Sequence, residues 1–275
     1  VTDLSPDTRT ALDTLAIVMI ERRPLVAFTG AGISTESGIP DYRGPEGLWT
    51  KGDEKPFTYQ MFMEDVDVQR RWWRELPERF QRASQIRPNQ GHLALASLER
   101  AGVLGATITQ NIDGLHRDAG SEPDRLVELH GNIRTIRCTQ CGRVYPTGEF
   151  LALHAGWNDP PPCPACGGVV KNGSIAFGQP MPELELRRAF TFAETAGLML
   201  VVGSTLLVNP AARVPAVAKA GGAYLAILNL GETALDPIAD IRLEVPSGPA
   251  LSWLTGRLLA EFGEGDQEAL GVPLG

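Results

Sequence analysis

The chain contains no apolar run near the roughly 20 residues that a membrane-spanning helix needs, and a membrane partner is not expected. It has no basic-then-apolar order at Val1 to Pro6, so a signal peptide is not expected there and a cytoplasmic protein is. Clustered Lys and Arg are also missing: 25 basic residues face 33 acidic ones, for a formal net charge of −8. That balance disfavours direct nucleic-acid binding, because phosphate backbones demand a basic surface. It leans slightly towards a basic peptide partner. No internal repeat or low-complexity tract appears. Cysteine is scarce, with four residues in all, and their arrangement is the first positive signal.

The four form two pairs, Cys138-x-x-Cys141 and Cys163-x-x-Cys166. In a reducing compartment such a pattern points to a metal, not to disulfides. Each pair presents two thiolates to one ion, and four thiolates complete a tetrahedral zinc site. No coordination position stays open, so the zinc is expected to be structural. Gly142 and Gly167 follow the second cysteine of each pair, where a tight knuckle turn needs them. Two glycine-flanked pairs are poorly explained by redox chemistry.

With 43% hydrophobic residues, the rest of the chain reads as a globular enzyme. Apolar runs at Leu25 to Phe28, Ala106 to Thr109, Leu198 to Val202, Tyr224 to Leu228 and Ile241 to Val245 read as strands. Helical spacing over Ala11 to Arg22, Gly91 to Arg100 and Ala211 to Ala220 separates them. The alternation predicts an α/β fold, a doubly wound parallel sheet of Rossmann-like type. Two stretches interrupt it. Gly44 to Pro88 reads as a loop plus a few helices, with Trp72 and Trp73 packed inward, and Gly131 to Gly173 as a zinc-ribbon module. The expected division is 1–43, 89–130 and 174–275 for the nucleotide-binding domain, with 44–88 and 131–173 forming a smaller lobe.

Gly30-Ala31-Gly32-Ile33-Ser34-Thr35 directly follows the first strand. Gly-x-Gly lets the backbone approach a pyrophosphate, and a helix N-terminus beyond it favours the charge. The third glycine of the ordinary dinucleotide fingerprint is replaced by Thr35, and Gly38 and Pro40 cut the helix short. Asp41-Tyr42-Arg43 then suggests a flap over the ligand rather than a plain dehydrogenase. Thr109-Gln110-Asn111-Ile112-Asp113 puts amides and an acid just past the second strand, where an ordinary helix cap is the competing reading. His130, in Glu128-Leu129-His130-Gly131-Asn132, stands between the two expected lobes and can act as a general base. His92, His116 and His154 are read as structural. Gly203-Ser204-Thr205-Leu206 and Asn229-Leu230-Gly231 end two further strands, where Ser204, Thr205 and Asn229 suit ribose hydroxyls or plain turns alike.

In this order the strings resemble the sirtuins, the NAD-dependent protein deacylases, over about Leu25 to Val245. The resemblance implies that NAD is the co-substrate. It implies that Gly30, Ala31, Gly32, Thr35, Asp41, Tyr42 and Arg43 form the NAD loop. Gln110, Asn111, Ile112 and Asp113 would hold the nicotinamide and its ribose. Gly203, Ser204, Thr205, Asn229 and Leu230 would take the phosphates and adenosine. His130 would be the base, with Asn111 and Asp113 orienting the reacting groups. The partner is an acyl-lysine protein or peptide, held between the lobes and paired with the strand of Ile175 and Phe177. The implied reaction transfers the acyl group to ADP-ribose and releases nicotinamide. Arg71 to Arg74 and Ala226 to Gly231 look like the class containing the mitochondrial sirtuin 4 proteins. Sirtuins commonly carry Lys/Arg-Pro-x-Val-Val-x-Phe-Gly-Glu after the zinc module, whereas this chain reads Lys171-Asn172-Gly173-Ser174-Ile175-Ala176-Phe177-Gly178-Gln179. The loss of bulk at Ala176 implies room for acyl chains longer than acetyl, and no Tyr-x-x-Arg pair for succinyl-lysine is visible between Gly44 and Pro88.

Two rivals use the same NAD site. A mono-ADP-ribosyltransferase would label a protein instead of forming O-acyl-ADP-ribose. A non-catalytic NAD sensor would bind NAD without releasing nicotinamide, and the presence of His130 and Asn111 argues against it.

Overall fold

Strands of a parallel sheet covered by helices meet no water on either face, so their residues are apolar throughout. In the computed structural model, which describes residues 4–42, 44, 47 and 58–262, the expected runs form such strands, except the edge run at Ile241–Leu243, which is half-buried and carries Arg242. Helix α1 (Pro6–Glu21) leads into β1 (Leu25–Thr29) and a 3₁₀ turn at Ala31–Ser37. Helices α2 (Tyr59–Glu64), α3 (Val66–Gln85) and α4 (Gln90–Arg100) precede β2 (Leu104–Thr109), α5 (Leu115–Asp118) and β3 (Leu126–Glu128). The cysteine-bearing part holds β4 (Thr135–Cys138), β5 (Val144–Pro146), α6 (Thr147–Leu153) and β6 (Val170–Asn172). Then come α7 (Glu183–Thr195), β7 (Leu198–Val202), α8 (Arg213–Ala220), β8 (Tyr224–Leu228), β9 (Ile241–Leu243) and α9 (Ser247–Phe262).

Six parallel strands lie in the order β3-β2-β1-β7-β8-β9. The chain winds one way from β1 through β2 to β3, returns to β7, and winds the other way. Alternate residues feed two cores. Leu25, Ala27, Leu198 and Leu200 pack against α1, α4 and α9, while Val26, Phe28, Met199 and Val201 face α7 and α8. A third core joins residues from both interrupting stretches: Phe62, Trp72, Trp73 and Leu76 pack with Ile136, Cys138, Phe150, Cys163 and Val170. The Trp73 and Phe150 rings meet edge to face at 6.0 Å. The three-stranded antiparallel sheet β5-β4-β6 supports this core.

Several details differ from expectation. The glycine loop enters a 3₁₀ turn, not an α-helix, and Gly38 ends it with φ +87°. α1 begins at Pro6 because Ser5 caps it, its hydroxyl accepting the Thr8 N–H at 3.1 Å. β3, α7 and α9 join the expected elements. No helix among the described residues is long and apolar enough to cross a membrane.

Candidate active site

Five strands point their C-terminal ends at one edge, and each is followed within two residues by one of those singled out above. Gly30 follows β1, Gln110 follows β2, Gly203 follows β7 and Asn229 follows β8, while His130 lies just beyond β3. The edge lies at the point where the winding reverses, between β1 and β7, which is where such sheets bind ligands.

Glycine makes this edge possible. Gly30 N–H donates to Val202 O at 3.0 Å and Gly32 N–H to Gly203 O at 2.9 Å. A Cβ on Gly32 would lie 2.7 Å from Gly203 Cα, and one on Gly203 2.5 Å from Ile33 N, with Gly203 itself at φ +62°. Gln110 Nε2 ties β2 to the same loop by donating to Ser204 Oγ at 2.8 Å. Ser204 Oγ also accepts from Leu206 N–H at 3.2 Å, beneath the positive φ of 57° at Leu206.

Asn111 and Asp113 converge on Ser34, a residue not singled out from the sequence. Asn111 Nδ2 donates to Ser34 Oγ and to Gly30 O, both at 3.1 Å, and Ser34 donates to Asp113 Oδ2 at 2.8 Å. Behind them lies His92, read as structural from sequence. Its Nδ1 takes part in the Asn89 capping box, accepting the Asn89 N–H at 3.4 Å. Nδ1 also lies 3.1 Å from Asn89 Oδ1, and Nε2 faces Ser34 Oγ at 3.4 Å. Burial pushes His92 down to about 4, against a smaller upward pull from Asp113, so this imidazole is neutral at pH 7. His116 packs 4.8 Å from it, centroid to centroid, and burial lowers its pKa well below 6.5 too. Asn89-x-x-His92 at a helix start was the available signal, since a capping His is buried at the cap it closes.

His130 presents the clearest chemistry. Its Nδ1 lies 2.9 Å from Gln110 O. A carbonyl only accepts, so Nδ1 carries the proton and Nε2 keeps its lone pair. Burial lowers the pKa below 6.5, partly opposed by the Gln110 hydrogen bond, and the ring is neutral at pH 7. His130 O accepts the Ile175 N–H at 2.7 Å. Phe177, 46% exposed, accepts Tyr59 N–H at 2.8 Å and pairs with Thr58 in an isolated parallel bridge.

The remaining residues vary in how free they are. Thr35 turns its hydroxyl back onto Gly32 O at 3.0 Å. Ala31 and Thr205 are half-buried on the edge. Ile112 O accepts the Ile133 N–H at 3.0 Å. Asp41 Oδ1 accepts the Gly44 N–H at 2.9 Å, and partial burial followed by the Asp113 carboxylate raises the Tyr42 pKa. Asn229 spends its amide nitrogen on its own turn, donating to Leu230 O and Gly231 O at 3.1 and 3.0 Å. Only its Oδ1 remains for a ribose hydroxyl, while Leu230 projects outward, 63% exposed. Arg43 lies outside the described residues.

The four cysteines converge as one group. All four Sγ atoms lie within 4.8 Å of one another, with Cys138 and Cys166 at 3.5 Å and Cys141 and Cys163 at 3.8 Å. A tetrahedron with Zn–S bonds of about 2.3 Å has S···S edges of about 3.8 Å. The spacing fits a zinc ion and is far too long for disulfides. Tyr145 Oη stands 3.2 Å from Cys163 Sγ, where it can donate to a thiolate.

A Gly-lined parallel-sheet edge, a neutral histidine with a free Nε2 and a four-thiolate metal site define an α/β nucleotide-binding protein with a structural metal. Residues 30–210 match the model of the Sir2 family. The NAD-dependent protein deacetylase of Caldivirga maquilingensis is 43% identical over 236 residues, 86% of this chain and 89% of that protein. The NAD-dependent protein deacylase of Pyrococcus abyssi is 41% identical over 239 residues, 86% and 94% of the two chains. A solved Sir2 complex with a p53 peptide and NAD+ superposes with a TM-score of 0.77 at 34% identity, covering 90% of this chain and 97% of that one. The chain belongs to the Sir2 family.

Two expectations follow. Elemental analysis should find one zinc per chain, and Cys138→Ala should lower both metal content and Tm, because structural zinc binding is partly folding free energy. A metal-free protein that keeps its Tm and activity contradicts this. Stability should also fall as pH drops from 6.5 towards 4, where the unfolded chain takes up a proton that folded His92 refuses. The loss should be on the order of 3 kcal/mol at most, and urea titrations of His92→Gln should show it flattened.

Proposed function

We propose that this protein is an NAD-dependent protein lysine deacylase that releases nicotinamide and O-acyl-ADP-ribose. The observation that carries the reading is the tautomer of His130. With Nδ1–H committed to Gln110 O, the ring is a neutral base at the ligand edge. Bound NAD would supply the ribose carbon that takes the acyl oxygen once nicotinamide leaves.

The chain's own residues then divide the work. Gly30, Ala31, Gly32 and Thr35, with Gly203, Ser204 and Thr205, admit the phosphates, and Asn229 Oδ1 beside Leu230 takes the adenosine side. Gln110, Asn111, Ile112 and Asp113 surround the nicotinamide ribose, Asn111 and Asp113 being fixed through Ser34. His130 Nε2 removes a proton from a ribose hydroxyl, which then reaches the acyl carbon. The segment of Asp41 and Tyr42, which Arg43 follows in the sequence, would close over the site and exclude water. The acyl-lysine lies along Ile175 and Phe177, between the nucleotide-binding part and the lobe of 44–88 and 131–173. A cytoplasmic location fits this role. Likeness to the sirtuin 4 class rests on Arg71 to Arg74 and Ala226 to Gly231 alone.

His130→Ala should cut deacylation at least about a hundredfold while NAD affinity stays within a few-fold, since the base acts after nicotinamide departs. In the wild type the acid limb of the pH–rate profile should lie below 6.5, as burial of His130 requires. Mass spectrometry of the products separates O-acyl-ADP-ribose from an ADP-ribosylated protein. Near wild-type turnover in the variant, or a labelled protein as the main product, overturns the reading.

Ala176 is half-buried beside Phe177. Each methylene buried there contributes about 0.8 kcal/mol, near fourfold in kcat/KM. Butyryl and octanoyl peptides should be processed at least as well as acetyl, and succinyl poorly, with Ala176→Phe restoring a preference for acetyl. Strict acetyl preference, unchanged in that variant, rules out Ala176 as part of the acyl tunnel.

A further inference from the structure

The chain leaves the large sheet through residues 130–134 and returns through 172–175, and these two stretches touch. A Cβ on Gly131 would lie 2.0 Å from Gly173 O, and one on Gly173 would lie 2.1 Å from Thr135 Oγ1. Gly173 N–H donates to Thr135 O, and Ile175 N–H to His130 O, each at 2.7 Å. The returning stretch thus carries the segment expected to meet the acyl-lysine directly onto the residue expected to be the base.

Lys171 sits at the start of this stretch. It is 3% exposed, on β6 opposite Arg137 of β4. Its Nζ donates to Asn172 O at 2.9 Å and to Ser174 O. Ser174 Oγ closes the same turn on Asn172 Oδ1 at 3.0 Å. No carboxylate pairs with Lys171 among the described residues, and Arg137 is the one charged group acting on it. Burial, followed by that guanidinium, lowers its pKa to about 8, so it remains cationic at neutral pH.

A buried ammonium without a counter-ion costs stability, and an apolar side chain would pack β6 at lower cost. What the ammonium gains is a hold on the two carbonyls that bracket Gly173, immediately before Ile175. Restraint is needed there, because this chain keeps the basic first residue of the sirtuin pattern as Lys171 but has Asn172, followed by Gly173, in place of its Pro. Proline would fix φ, and Asn-Gly leaves the backbone free.

We propose that Lys171 is a positioning residue for deacylation: by clamping the carbonyls of Asn172 and Ser174 it sets the Ile175–His130 contact and so aligns the acyl-lysine segment with the base. The proposal rests on the deacylase reading above. Charge-assisted hydrogen bonds are the strong ones, so their loss should be felt at the peptide site and not at the NAD site.

The test compares wild type, Lys171→Met and Lys171→Arg in the full zinc-bound chain. Wild-type turnover of an acetyl-lysine peptide with NAD checks the underlying reading by itself. In Lys171→Met the peptide KM should rise about tenfold or more, with the NAD Kd from calorimetry within about twofold. Lys171→Arg should recover the peptide KM to within about threefold, because it restores a permanent cation with donors. Lys171→Gln, which keeps a donor without the charge, is read in the same way should the Met variant not fold. An unchanged peptide KM, an equal loss at both sites, or no rescue by Arg overturns the proposal. Should the wild type not deacylate, NMR titration of the His130 imidazole reads the clamp directly. Its pKa should move up towards 6.5 in Lys171→Met or Lys171→Gln, and an unmoved titration overturns the clamp.

Discussion

Backbone passes against backbone where the Gly30–Gly32 loop crosses Gly203, and the remaining site geometry is hung on that crossing. Two hydrogen bonds hold it, and any side chain at Gly30, Gly32 or Gly203 would force it apart. The crossing spans the reversal in winding, so it fixes the β1 loop to the β7 loop. Gln110 then anchors the β2 loop to the same point through Ser204. His130 in turn donates to the carbonyl of Gln110. The base of the proposed reaction is thereby located through three successive contacts that begin at a glycine pair with no side chains to contribute.

A second line of contacts approaches from the opposite side, through buried imidazoles. The Thr29 hydroxyl donates to Thr109 Oγ1 at 2.8 Å, so its contact with His116 Nε2 at 2.9 Å needs the proton on the histidine. Thr109 Oγ1 also accepts the Asn111 N–H. His92 reaches Asp113 through Ser34. Both rings are kept neutral by burial, so no imidazolium competes for the Asp113 carboxylate, whose oxygens accept from Ser34 Oγ and the Leu115 N–H. The reading of His92 and His116 as structural is accurate about their burial, but it understates what they hold in place.

Most of the sheet was legible because parallel strands buried on both faces are short apolar runs, and five of its six strands read as such. β3 was not, since Leu126–Glu128 is three residues long and follows a Pro-Asp turn. The 3₁₀ character of Ala31–Ser37 was hidden because sequence periodicity does not separate a 3₁₀ turn from the first turns of an α-helix. The glycines, Gln110, Asn111, Asp113 and His130 were legible from their place after strands. Ser34 was not: it becomes a site residue only when β2 brings Asn111 and Asp113 to it, a contact across the sheet that no local pattern records. Asn229 shows the reverse case, where an amide chosen for a ligand spends half its hydrogen-bonding capacity on its own turn.

The metal enters this chemistry by way of packing. The third core is small, and two of its nine buried residues, Cys138 and Cys163, are themselves thiols in the metal cluster. A core of that size stabilises little by burial alone, and small modules of this kind depend on a staple. Without an ion the thiolates would repel, and this would disturb the end of the β4–β6 ladder, where Cys138 pairs with Val170. β6 carries Lys171 and leads straight into the returning stretch. Zinc would therefore need no open coordination position to matter for the reaction: it would steady Cys138 of β4, β4 pairs with β6, and the stretch that follows β6 rests through Ile175 N–H on the carbonyl of His130.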